Sequence, residues 1–268
     1  MRFVSAPAPA CGLPPRSSRW ACGVASVDKV LGGGLAYGRI HEVHAAEADD
    51  AGAAAGFAMA AASGMAIAAA TNASGGAAKR GVLWLRSRRA VRQSGRLQAS
   101  GWAELGGAPG AGLVGVLPDA LALLRAAVDA LRCPGLGAVI VEDRGRMPEL
   151  DLTASRRLAL AAERSGVPLF LLRTDAPAMP SAAQTRWQVA SAPSRALPGH
   201  APGLPAFDVT LLRQRSGPAG LDWRLEWDRD RCMFHDPALS GAMVSVPASR
   251  PAAAGNGTES RASDRHAA

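Results

Sequence analysis

The sequence predicts an α/β domain with a predominantly parallel sheet, helices on both faces and an antiparallel extension at its C-terminal end. Three observations carry this. Short apolar runs alternate with helical patterns from about residue 24 onward. The last three apolar runs have no helical pattern between them, and "RSGPAGLDW" supplies a turn. Apolar residues make up 48% of the 268 positions, enough for a packed core.

The elements follow in order. Strands are expected at RIHEVHA (39–45), GVLWLR (81–86), LVGVL (113–117), GAVIVED (137–143), VPLFLLR (167–173), RWQVASA (186–192), FDVTLLRQR (207–215) and WRLEW (223–227). Helices are expected at 53–71, 88–99, 118–132 and 153–165, the last capped by Thr153 or Ser155 and ended by Gly166. Residues 1–20, rich in Pro, Ser and Arg, read as a flexible lead-in. Residues 21–230 read as the folded domain, and 248–268 as a disordered tail with nothing to bury.

Bulk properties narrow the function. The formal charge is +8, and all basic residues except Lys29 and Lys79 are arginine. Such a balance suits an acidic partner, although an Ala-, Gly- and Pro-rich composition also produces it. Cys11, Cys22, Cys133 and Cys232 form no C-x-x-C pair, so neither a zinc site nor a disulfide framework is expected, and a reducing cytoplasm is. Residues 51–70 are uncharged but Ala-rich, with no Leu. They read as a helix packed on a sheet rather than a membrane span.

The segment from Leu31 to Ala60 has the layout of a phosphate-binding strand–loop–helix unit. A working loop needs glycines for its turn, a Lys for the β- and γ-phosphates and a Ser or Thr hydroxyl for Mg²⁺. Between Ala45 and Gly56 there is no Lys, Ser or Thr. Glu47, Asp49 and Asp50 stand there instead, followed by Gly52, and their charge repels a triphosphate. The acidic strand end that would hold Mg²⁺ is represented by Glu142 and Asp143. Neither a cofactor nor a metal is expected, and ATP hydrolysis is not. His41 and His44 sit on opposite faces of their strand, so they cannot chelate together.

Other constellations concern binding. Arg88, Arg92 and Arg96 recur every four residues, with Arg86 and Arg89 nearby, which on one helix makes a basic stripe for DNA phosphates or an acidic partner. Trp84 and Trp102 flank it. Trp187, Trp223 and Trp227 lie on the C-terminal strands, where they cover the sheet end or form a docking face.

"VDKVLGGGLAYGRIHEV" resembles the start of the RecA-like core, where an Asp and a GGG-L-x-x-G turn precede the phosphate-loop strand. "VEDRGRMPELDLTASRRLALAAERSGVPLFLLR" followed by "TRWQVASAPS" resembles the ImuA branch of that superfamily. The resemblance covers about residues 20–230 and is strongest at 138–192. It implies a RecA-like fold and a bacterial factor of damage-induced mutagenesis, related to the SulA cell-division inhibitors. It also implies the partners RecA, an ImuB-like relative of Y-family polymerases and an error-prone C-family DNA polymerase. Active RecA-like ATPases hold a catalytic Glu after the second core strand, where this chain reads Arg86-Ser87-Arg88-Arg89. The reading is a non-catalytic adaptor in SOS translesion synthesis. A SulA-like division inhibitor and a DNA-stimulated ATPase with an atypical site at Glu142 and Asp143 are the alternatives.

Overall fold

A small antiparallel ribbon begins the fold of this computed structural model, which describes residues 18–71, 80–107, 110, 112–133, 135–197, 199 and 201–237. The ribbon pairs β1 (Arg19–Trp20) with β2 (Leu35–Ala36), and α1 (Ala25–Val30) lies between them. In the GGG turn, Gly32, Gly33 and Gly34 all have positive φ (69°, 109° and 108°). A Cβ on Gly34 would lie 1.9 Å from the Trp20 carbonyl oxygen, so only glycine closes this turn. Trp20 is buried, and its ring fills the space beside Gly64. The described structure therefore extends into the stretch 1–20 that composition marks as a lead-in. The rest of that lead-in up to residue 17, and the expected tail at 248–268, lie outside the described residues.

The main sheet is then built from β3 (Ile40–Ala45), β4 (Gly81–Ser87), β5 (Gly112–Leu117), β6 (Leu136–Arg144), β7 (Leu169–Thr174), β8 (Thr185–Ser191), β9 (Ala206–Gln214), β10 (Leu221–Asp228) and β11 (Met233–His235). Its nine strands run in the order β11-β10-β9-β8-β3-β7-β6-β4-β5. From β8 to β5 every pairing is parallel, and β9, β10 and β11 join antiparallel. The expected fold class is the observed one. β11 is an addition beyond the expected boundary at 230, anchored by buried Phe234 against Trp227 and Phe57.

One face is covered by α2 (Ala51–Thr71), the other by α5 (Ala120–Leu131) and α6 (Leu152–Ser165). A helix that is apolar all round is a buried helix. α2 follows this rule, and its small residues allow close approach to the sheet: a Cβ on Gly137 of β6 would lie 2.4 Å from the Ala66 Cβ. The helical stretch Ala48–Thr71 is long and apolar enough to cross a membrane, but 72% of its most apolar window is buried inside the protein. α5 and α6 are amphipathic and present Leu123, Leu131 and Leu158 to Leu85, Val139, Leu169 and Leu171.

Two local expectations change. The helix expected over 88–99 is two, α3 (Arg88–Ser94) and α4 (Ala99–Glu104), because Gly95 takes φ 76° and stops the first. The cap of α6 is Asp151, whose Oδ1 accepts from the Ala154 N–H at 2.7 Å; Ser155 is buried and its hydroxyl donates to Leu152 O. Gly166 does close α6, with φ 77°.

Candidate functional site

The phosphate-loop position lies where β3 leaves the sheet and α2 begins. Ala46 N–H donates to Val189 O (2.8 Å), and a single 3₁₀ turn, Ala48–Asp50, then leads directly into α2. Asp50 ties this turn to the end of β8. Its Oδ1 accepts from the N–H and the hydroxyl of Ser191 (2.8 and 3.0 Å), and its Oδ2 from Glu47 N–H (3.3 Å). Glu47 and Asp49 are exposed beside it, and Gly52 is exposed on the first turn of α2. A helix N-terminus attracts anions, and here that attraction is spent on the chain's own carboxylates. Lys29 is on α1, before β3, and Lys79 lies outside the described residues.

The acidic strand end is equally committed. Glu142 and Asp143 are 4% and 1% exposed at the end of β6. Pairing of β4 with β6 places Arg86 directly opposite Glu142. The Arg86 guanidinium donates to both carboxylate oxygens at 2.7 Å, and Trp84 Nε1–H adds a third bond to Oε2 at 2.9 Å. Arg86 also donates to Gly95 O (2.7 Å), tying this cluster to the end of α3. Asp143 accepts from the Ser87 hydroxyl (2.6 Å) and from Arg89 Nη2 (2.8 Å), with Arg173 4.0 Å away. A cation entering here would have to displace fixed guanidinium groups. Among the described residues, no three His, Cys, Asp or Glu side chains gather as a metal-holding group.

These bonds divide the expected basic stripe. Arg86 is 3% exposed and cannot serve as a surface contact, whereas Arg89 pairs with Asp143 but keeps its side chain half-exposed. Arg88 and Arg92 remain exposed on α3, four residues apart. Arg96 is exposed as well, but it follows the Gly95 break and leaves the helical register. The tryptophans are structural. Trp84, Trp187 and Trp227 are buried in the α2-side core, Trp187 tilted against Phe57 (centroids 5.9 Å) and half-buried Trp223 (6.2 Å). For the three buried rings this is the sheet-covering role.

His41 and His44 do point to opposite faces, His41 toward α2. Its Nε2 contacts Ala36 O (3.0 Å), which can only accept, so Nε2 carries the proton. Nδ1 therefore accepts from the Thr185 hydroxyl (2.8 Å), which in turn accepts from Trp187 Nε1–H (2.9 Å). Burial pushes the His41 pKa down to about 4. On the other face, burial would raise the Glu42 carboxyl. His44, Ser181 and Arg186 together overcome that and hold it below its ordinary value. Arg186 Nε is 2.5 Å from Glu42, and His44 Nε2 is 3.8 Å away without a hydrogen-bond partner. Glu42 and His44, with Arg146, Met147, Arg173 and Ser181, line a cavity of about 60 Å³. Arg173 and Arg186 have no motif to announce them. The only signal is an arginine at the end of one strand and at the start of another, both strands flanking Glu42's strand β3.

No protein-family model matches the sequence, and no curated protein matches it. Among solved structures, the crystal structure of the RadB recombinase is similar over 82% of this chain and 100% of that chain, with a TM-score of 0.48 and 13% sequence identity.

Proposed function

We propose that this chain is a RecA-like adaptor without catalytic activity, acting in damage-induced error-prone translesion DNA synthesis. Its partners in this reading are RecA, an ImuB-like protein and an error-prone C-family polymerase, in a bacterial cytoplasm. The observation that carries the reading is the replacement of phosphate chemistry by internal bonds. Asp50 ties the loop to Ser191, and Arg86 and Arg89 occupy the acidic strand end. A frame built this way keeps surfaces for protein partners while losing the parts that turn over nucleotide. The family assignment itself rests on the resemblance at 138–192. Direct DNA contact through Arg88, Arg92 and Arg96 is a subsidiary part of the proposal.

The test is recovery of the tagged full chain from damaged and undamaged cells, with nuclease and ATP controls. Capture of ImuB-like and RecA proteins, insensitive to ATP, is the expected result. Capture of the division polymer, or capture that needs ATP, overturns the adaptor role.

A further inference from the structure

The two ends of the nine-stranded sheet are finished differently. At one end β11 is only three residues long, its Phe234 N–H is taken by Cys22 O (2.7 Å), and charged Arg229, Asp230 and Arg231 precede it. These are the usual guards of an edge strand. At the other end β5 has none of them. It reads Gly112-Leu113-Val114-Gly115-Val116-Leu117, carries no charge and no proline, pairs with β4 in unbroken register and, among the described residues, has no strand on its outer side. Leu113, Val114 and Val116 are 59%, 50% and 51% exposed.

The run Leu113–Leu117 is a palindrome centred on Gly115. In an antiparallel pair, residues directly opposite each other share a face. Two copies of β5 related by a two-fold axis at Gly115 would set each Leu113 against Leu117 of the second copy, and each Val114 against its Val116. Val114 and Val116 align with Trp84 and Arg86 of β4, on the α2 side; Leu113 and Leu117 align with Leu83 and Ser87, on the α5 side. Both faces of the joint thus gain apolar cross-strand pairs, and no charge is buried. Gly115 itself is required within one copy, since a Cβ there would lie 2.9 Å from Leu85 Cδ2.

We propose that β5 is an interface between two copies of this chain, pairing antiparallel about Gly115 so that the two sheets become continuous. Self-complementary contacts of this kind close as a dimer rather than growing into a filament.

The test uses the full chain in sedimentation at micromolar concentrations. A dimer is expected. Val114→Lys and Val116→Glu, each alone, raise its dissociation constant by about 100-fold, because each sets a charge against a valine in the joint. The double variant carrying both restores the dimer, since each lysine then faces a glutamate across the axis. Hydrogen exchange of the unaltered chain provides a reading independent of any variant's folding: β5 amides slow as concentration rises. A monomer throughout, a dimer indifferent to both substitutions, or β5 exchange independent of concentration overturns the proposal.

Discussion

Replacing Arg86 with methionine lowers the unfolding free energy by about 3–5 kcal/mol, the cost of leaving one member of a buried ion pair alone. Glu142 would keep only the Trp84 Nε1–H bond and would sit at 4% exposure without its cation. The companion change Arg86→Met with Glu142→Leu recovers part of the loss, because a buried pair and an apolar pair of similar volume are close in free energy, while the buried Trp84 Nε1–H is left without its acceptor. Urea titration of the three variants measures this. Substituting Arg88 or Arg92, both exposed, shifts stability by no more than about 0.5 kcal/mol. This contrast separates the arginines that build the fold from those free to meet a partner. If Arg86→Met were as stable as the parent chain, the internal role of the pair would be wrong.

The second large effect is a loss of stability in mild acid. His41 is fully buried and its pKa is about 4 in the folded chain, against 6.5 for an ordinary histidine. The unfolded chain therefore takes up this proton first as pH falls. Stability from neutral His41 is complete above pH 6.5 and is lost progressively down to pH 4, by about 3 kcal/mol at 1.36 kcal/mol per pH unit. The physical reason lies in the bonded row. A proton on Nδ1 faces the Thr185 hydroxyl, whose own proton then has to leave the histidine and find another acceptor. Glu42, with its lowered pKa, adds to the loss in the same direction as its carboxylate is protonated below the ordinary carboxylate value. Denaturation at pH 7 and at pH 4.5 tests this, with His41→Gln expected to flatten the dependence. A parent chain equally stable at both values contradicts the assignment.

How much was legible beforehand depends on the range of the interaction. The eight strands from β3 to β10 apart from their exact ends follow from short apolar runs and turn residues, because those signals are local. The lack of Lys, Ser and Thr between Ala45 and Gly56 is legible for the same reason. The fate of Arg86 is not local. Spacing placed it beside a helical stripe, whereas its partner Glu142 is 56 residues away and is reached only because β4 and β6 are neighbours in the sheet. The same holds for Asp50, whose acceptors' donors lie on Ser191, and for Glu42, paired with Arg186. Trp20 and Phe234 escaped notice because two- and three-residue strands carry no periodicity to read. Gly95 breaks the arginine stripe through a single positive φ, which a four-residue spacing count cannot register.

Whether this frame works without nucleotide is measured most directly by titrating the purified full chain with ATP and Mg²⁺ in a calorimeter. Turnover is followed in parallel, with single-stranded DNA and RecA present. With Asp50 bonded to Ser191 and Glu142 held by Arg86, no binding heat at millimolar ATP and no turnover are expected. Micromolar binding, or turnover abolished by Glu142→Gln, would show that the ion pairs open to admit a nucleotide and that the chain is an enzyme.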